Sequence, residues 1–317
     1  MDVGRTRSGG LLVRDALRGG ESILLPVRLG SCSGAPNSFN RNMAYDFPSV
    51  IEYGLDRSAA VLARGFSDYY VPIVSNPGVL VQMARMDSVD LAVSRVLVRD
   101  GVAVGGALIA RRGWTCRLAG MAIIPEARRT GVGRAGVLQL LAEAKARGER
   151  SMVLEVIEQN EPAVKLYEAC GFKKVRRLLS FAGPGTTDAG VTTALAEVDL
   201  RDMAEVVTHD SLPDLPWQLS GETLAQLSPP SVAFRLNGSW VALSNPAVSP
   251  VTIRGLITEH AVQGQGRAAE LLRAVMAKFP GREWRVSALW PEELAPVIAG
   301  AGLQPTPLSQ WQMERPL

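Results

Sequence analysis

The sequence predicts an α/β protein built in two tandem copies, and three observations carry that reading. Strand-like and helix-like periodicities alternate along residues 94–181. A two-glycine turn, Gly131-Val132-Gly133, leads from a strand into a helix. Both the turn and a later Gly-apolar stop recur. Gly131-Val132-Gly133-Arg134-Ala135 is mirrored 133 residues on by Gly264-Gln265-Gly266-Arg267-Ala268, and Cys170-Gly171-Phe172 is echoed 131 residues on by Ala301-Gly302-Leu303. Two features repeated at nearly one offset point to a duplicated domain.

Taken in order, residues 1–43 are rich in Gly, Ser and Arg and read as a disordered extension. Regular structure is expected from Tyr45. Ser58–Phe66 is a helical run, ended by Asp68-Tyr69-Tyr70-Val71-Pro72. Ser94–Arg99 and Val102–Ala110 read as strands around Arg99-Asp100-Gly101, and Cys116–Ile124 as a third. From Arg134 to Arg147 the period becomes helical, with Val137, Leu138, Leu141 and Ala144 on one face and Gly148 as the stop. Ser151–Ile157 alternates as a strand, Pro162–Cys170 is a short helix, and Lys173–Phe181 returns as a strand. Residues 182–190, dominated by Gly, Thr and Pro, are the expected linker, which divides the chain into domains 44–184 and 190–317. In the second copy, Arg254–Ile257 and Arg285–Leu289 read as strands on either side of a helix ending near Lys278.

Composition narrows the function classes. Hydrophobic residues make up 47% and charged residues 21%, enough apolar material for a core in each half. No apolar run approaches the length of a membrane span, so no membrane partner is expected. The net charge is +3, and residues 1–41, with six arginines and three acids, account for all of it; no basic patch points to nucleic acid. Three widely spaced cysteines and two histidines suggest neither a disulfide framework nor a metal centre, and fit a reducing, cytoplasmic compartment.

The segment from Met121 to Ala135 carries the chemistry. It is a strand end, a basic turn, two glycines and a helix start. Glycine lets the backbone approach a ligand, and the first N–H groups of the helix lack intrahelical partners, so the loop suits a pyrophosphate. A nucleotide P-loop needs Gly-Lys-Ser/Thr and finds Gly133-Arg134-Ala135. The dinucleotide fingerprint is matched literally by Gly131–Gly136, with Glu155 downstream, but Pro125 and a two-arginine turn separate strand from glycine. Arg128-Arg129-Thr130-Gly131-Val132-Gly133 instead resembles the acetyl-CoA signature of GCN5-related N-acetyltransferases (GNAT), Arg/Gln-x-x-Gly-x-Gly/Ala. The run Leu154–Phe172, with Asn160, Leu166-Tyr167-Glu168 and Gly171-Phe172, is similar to that family's second half-motif. The resemblance covers residues 45–181 well and 190–317 in outline.

The resemblance implies two three-layer domains, each a mixed, mostly antiparallel sheet flanked by helices. It implies acetyl-CoA as co-substrate and direct acetyl transfer to an amine in a ternary complex, with the acceptor amine and oligomeric state unspecified. The cofactor arm would enter beside Met121, Ala122 and Ile123, with a backbone N–H near Ile123 facing the oxyanion. The pyrophosphate would lie on N–H groups of the loop formed by Arg128, Arg129, Thr130, Gly131, Val132, Gly133 and Arg134. Asn160 would contact the arm, or cap a helix, or both. Tyr167 would protonate the departing thiolate, and Glu155 would accept the ammonium proton. Phe66, Asp68, Tyr69 and Tyr70 are candidates to line the acceptor site. In the second copy Ala261 stands three residues before Gly264, Pro291 near the asparagine position and Ile298 at the tyrosine position. That copy is expected to be degenerate. A non-catalytic acyl-CoA sensor is the alternative reading of the whole.

Overall fold

The first half has eleven strands and α-helices, eight of which the sequence leads one to expect. The computed structural model describes residues 45–185 and 195–317. The expected disordered extension and residues 186–190 of the expected linker lie outside the described residues. The first half runs β1 (Tyr45–Asp46), α1 (Val50–Tyr53), α2 (Leu55–Gly65), α3 (Pro77–Asp87), β2 (Arg95–Arg99), β3 (Val102–Arg112), β4 (Thr115–Ile123), α4 (Val132–Ala146), β5 (Ser151–Ile157), α5 (Glu161–Ala169) and β6 (Lys173–Pro184). The second runs β7 (Ala196–Val198), α6 (Leu200–Asp210), α7 (Gly221–Leu224), β8 (Val232–Leu236), β9 (Ser239–Leu243), β10 (Val251–Thr258), α8 (Arg267–Lys278), β11 (Glu283–Pro291), α9 (Ala295–Ala299) and β12 (Gln304–Pro316).

Local chemistry sets the helix starts. Ser49 accepts from the Glu52 N–H while the Glu52 carboxylate accepts from the Ser49 N–H, a capping box that opens α1. Asn76 caps α3, with Pro77 in its first turn. Asn160 accepts from the Ala163 N–H at 3.4 Å and caps α5, with Pro162 again in the first turn.

All twelve strands join in one sheet, in the order β1-β2-β3-β4-β5-β12-β6-β11-β10-β9-β8-β7. The last strand does not stay with its own half. β12 lies between β5 and β6, antiparallel to both, with Gln312 opposite Glu155 on one side and Arg176 on the other. β6 in turn pairs with β11, with Val286 opposite Phe181. Each half therefore places its final strand against the other. The segment from Ala182 to Pro184, expected in the linker, completes β6 because β11 and β12 offer it partners on both edges.

Helices cover both sheet faces in each half, giving the three layers. In the first half, α4 and α5 pack on one face through Val137, Leu140, Leu141 and Val164, over Leu118, Leu154 and Val156. On the other face, α1, α2 and α3 pack through Val50, Leu62 and Leu80 over Val96, Leu108 and Ala122. The second half repeats this, with α8 and α9 on Ile253 and Trp284, and α6 and α7 on Ala233 and Ala242. A Cβ at Gly136 would fall 2.6 Å from Leu97 Cδ2, so the third glycine of the literal dinucleotide match serves the close approach of α4 to β2.

Candidate active site

The two parallel pairs of the sheet come apart in the same way. β4 and β5 are in register from Thr115↔Ser151 to Leu118↔Leu154, and there the pairing stops. The cause lies one residue further on. Against β3, Leu118 faces Ile109 and Gly120 faces Leu108, so Ala119 is the extra residue of a β-bulge. A bulge bends its strand; β4 turns away from β5, whose other edge stays paired with β12 along its whole length. Met121, Ala122 and Ile123 then present to β5 a strand edge that carries no ladder partner, open to an extended amide chain.

The loop beyond this edge ends in helix N–H groups that could hold an anion. Arg129 and Gly131 both have positive φ, 61° and 88°, and Gly131 caps α4. The first helical bond runs from the Ala135 N–H to the Gly131 carbonyl, so the N–H groups of Val132, Gly133 and Arg134 precede it and point out of the helix end. A Cβ at Gly133 would touch Leu166 Cδ2 at 3.4 Å, which brings α5 close to the mouth of the slot. The Thr130 hydroxyl donates to the Ala127 carbonyl and accepts from Arg99 Nη1, both at 2.7 Å, and so holds the loop from within. Arg128 Nε donates to the Ile123 carbonyl at 3.0 Å, tying the loop to the end of β4, while its Nη1 and Nη2 grip Asp68 at 2.6 Å each. That bond holds the Asp68 carboxyl below the usual carboxylate range.

Asp68 belongs to the α2–α3 connection, which brings an aromatic group over the slot. Phe66 and Tyr69 meet edge to face at 5.2 Å, and Tyr69 and Tyr70 at 5.7 Å. The Tyr70 hydroxyl donates to the Gln159 carbonyl at 2.9 Å. Burial raises the Tyr69 pKa, partly offset by a hydrogen bond with Asn160. Phe66, Asp68, Tyr69 and Tyr70 are thus gathered with Arg128 and Asn160 around one opening.

Tyr167 stands on the inner face of α5, 8% exposed, with Phe172 edge to face at 5.9 Å. Burial, with Tyr69 adding to it, pushes its hydroxyl well above the usual tyrosine range. It is therefore fully protonated at neutral pH, the state a proton donor needs. Glu155 lies on the opposite side of β5, on the face of α1–α3 with Val153. Its Oε2 accepts from Arg117 at 2.7 Å, the two side chains are 3% and 5% exposed, and Oε1 is buried with no hydrogen-bond partner. Beside it Gln312 of β12 donates to the Asp214 carbonyl at 3.0 Å. The second half thus reaches the Glu155 face of the first.

The second half repeats the bulge and the glycine loop, at a register that the repeat in the sequence conceals. β10 pairs in parallel with β11 from Val251↔Trp284 to Ile253↔Val286 and no further. Arg254 is the bulge residue against β9. Gly264 and Gly266 have φ of 75° and 74°, Gly266 caps α8, and the Glu270 N–H makes the first helical bond to the Gly266 carbonyl. The matching pairs are Ala119 with Arg254, Ile123 with Thr258, Arg128 with Gln263 and Gly131 with Gly266, each 135 apart. Gln263 Nε2 donates to the Thr258 carbonyl at 2.9 Å, the bond that Arg128 makes to Ile123. Aligning Gly264 with Gly131 was two residues out, and it put Ala261 where Gln263 belongs. In the correct register Gln263-Gly264-Gln265-Gly266-Arg267-Ala268 satisfies Arg/Gln-x-x-Gly-x-Gly/Ala in full. The signal was in the sequence, hidden because Gly264 stands where the first copy has Arg129.

Residues 74–172 match the acetyltransferase (GNAT) family. That segment, which holds the glycine loop, Glu155 and Tyr167, is similar to the GNAT family. Solved structures agree on the fold over both halves. A GCN5-related N-acetyltransferase from Sphaerobacter thermophilus is 14% identical, with a TM-score of 0.62, covering 86% of this chain and 95% of its own. A tandem GNAT protein of the clavulanic acid biosynthesis pathway is 13% identical, with a TM-score of 0.59 and coverage of 87% and 98%. Eis1 from Mycobacterium abscessus is 14% identical, with a TM-score of 0.54 and coverage of 86% and 73%. No curated protein matches the chain by sequence. The GNAT family performs acyl transfer, and among the described residues no helix is long and apolar enough to cross a membrane.

Proposed function

We propose that the chain is an acetyl-CoA-dependent N-acetyltransferase acting on a primary amine, with catalysis in residues 44–184 and a second, GNAT-like unit in residues 190–317. The observation that carries this reading is the convergence, at one slot, of the unpaired edge Met121–Ile123, the N–H groups of Val132–Arg134 and the protonated Tyr167. Acetyl-CoA, when bound, supplies the thioester carbon that the amine attacks.

The residues divide the work. Val132, Gly133 and Arg134 donate backbone N–H groups to the pyrophosphate, and the guanidinium groups of Arg129 and Arg134 add positive charge. Thr130 and Arg128 hold the loop, and Gly131 gives it the left-handed turn it needs. Met121–Ile123 bond the amide arm, and Asn160 orients the arm from the head of α5. Tyr167 donates its proton to the thiolate that leaves. Glu155 is the proposed proton acceptor through Oε1, the oxygen that Arg117 does not hold. Arg117 fixes this carboxylate through Oε2, on the face that α1–α3 and Gln312 of the second half cover. Phe66, Tyr69 and Tyr70 shield the slot from water and line the acceptor side.

The test is release of CoA thiol from acetyl-CoA with a panel of amines, for the native chain and Tyr167→Phe. Turnover with at least one amine, lowered in the variant, is the expected result. Tight binding of acetyl-CoA without turnover on any amine would favour a non-catalytic acyl-CoA sensor.

A further inference from the structure

A cavity of about 580 Å³ lies in the second half, within the size range of small-molecule sites. One end opens at Gly266 and Arg267, at the head of α8. The cavity then follows the unpaired edge of β10 from Gly255 to Thr258. It ends among Val207, Leu212, Leu215, Leu219, Trp290 and Leu294. These three parts differ in chemistry: helix N–H groups beside a cation, a free strand edge, and an apolar chamber.

The first half closes the matching end. There Phe66, Tyr69 and Tyr70 pack together, and Tyr70 bonds to the chain at Gln159. The connection after α6 brings leucines in place of tyrosines and leaves room. Ile298, fully buried, stands at the position of Tyr167, so no side chain there can give a proton to a thiolate.

We propose that the second half is a non-reactive binding site for a CoA thioester bearing a medium-length saturated acyl chain, with the alkyl tail in the chamber of Leu212, Leu215, Leu219 and Trp290. The loop Gln263–Ala268 takes the pyrophosphate and the edge of β10 takes the amide arm. An acetyl group would leave the chamber empty. Each buried methylene strengthens binding about fourfold, and ordering the chain consumes part of that gain, so a ten-carbon chain should bind roughly 100-fold or more tighter than acetyl at this site. The inference does not depend on turnover in the first half.

The experiment is calorimetric titration of the full chain with decanoyl-CoA, acetyl-CoA, CoA and free decanoate, paired with hydrogen exchange on the native protein. Gly131→Val strains the first loop, and Leu215→Trp fills the second-half chamber. Decanoyl-CoA should protect residues 255–269 and 290–297, keep its affinity within threefold in G131V, and weaken at least tenfold in L215W. Protection by every thioester confined to residues 119–134 would overturn the proposal and leave the catalytic reading standing. Equal affinity of decanoyl-CoA and acetyl-CoA for the second half would overturn the alkyl assignment. Equal protection by decanoate alone would overturn the nucleotide assignment. Acetyl-CoA failing to protect 119–134, while decanoyl-CoA protects 255–269, would keep this proposal and remove the catalytic one. Because exchange is read on the native chain, misfolding of either variant does not decide the outcome.

Discussion

Tyr167 and Glu155 are separated by the sheet, and each carries its own test. Tyr167→Phe removes one hydroxyl and keeps the ring against Phe172; we expect kcat to fall about 100-fold if the hydroxyl is the acid, with the melting temperature nearly unchanged. Because burial lifts its pKa, the native protein should show no alkaline loss of kcat from this group below about pH 10; a limb near pH 8–9 that vanishes in Y167F would contradict the raised pKa while leaving Tyr167 as the proton donor. Glu155→Gln leaves Arg117 as a buried, unpaired cation, at a cost of about 3–5 kcal/mol, measurable by urea unfolding. A double variant, Glu155→Leu with Arg117→Leu, should recover most of that stability. If it also recovers activity, Glu155 has only a structural part; if activity stays lost and the acid limb of kcat/KM is gone, Glu155 is the base. Glu149 gives a second pH dependence. Burial raises its pKa, but hydrogen bonds from Arg147 and Arg111 outweigh that and the net direction is downward. A carboxyl whose folded pKa lies below its unfolded value adds stability that is present above the unfolded pKa of about 4.5 and is lost as pH falls through the folded one. Glu149→Gln should therefore flatten the acid side of the stability curve below about pH 4.5, followed by denaturant midpoints across that range.

At the scale of elements, one inserted residue opens each slot. Deleting Ala119 should let β4 continue beside β5. We expect the circular dichroism of the fold to survive and acetyl-CoA binding to the first half to disappear. The molecule also contains its own control for Arg128. Gln263 makes the equivalent bond to the end of its strand with a neutral amide, so Arg128→Gln should keep the loop and hold affinity for acetyl-CoA within a few-fold. The same change releases Asp68 and the aromatic connection, which hydrogen exchange over residues 66–70 would record. These elements also show what the sequence made legible. β5 matches its expected bounds, because alternation of Met152, Leu154 and Val156 is a strong period. The helix after Gly131 was expected from Arg134 and starts at Val132, since the N–H groups of its first turn leave no mark in side-chain type. Ser49-x-x-Glu52 announces α1, but its four residues are too few to show a helical period. The ion pair of Glu155 with Arg117, 38 residues apart, had no local signal; only the parallel register of β4 and β5 brings them together.

At the scale of the whole molecule, the two halves are continuous in the sheet although separate along the sequence. A fragment of residues 44–184 keeps Tyr167, Glu155 and the glycine loop, yet it lacks β12 and so leaves facing edges of β5 and β6 unpaired. Such edges pair with other chains, and we expect the fragment to aggregate or self-associate on size-exclusion chromatography. Supplying residues 303–317 in trans, or fusing them after a short linker, should restore a monomeric fold and acetyl-CoA binding. If residues 44–184 alone remain monomeric and bind acetyl-CoA, β12 is dispensable to the first half.

The placement of β12 has a consequence for biosynthesis. Glu155 meets its strand partner Gln312 across 157 residues of chain. Synthesis runs from the N-terminus, so the strand that fills the gap between β5 and β6 becomes available only after the intervening second half has been made. The glycine loop and helices α1–α5 of the first half can form while the chain is still being made, but the sheet beneath them is finished last. Acquisition of a working first half is thereby tied to completion of the second: a truncated message yields a chain that carries the entire acetyl-CoA signature and cannot close the sheet on which it stands.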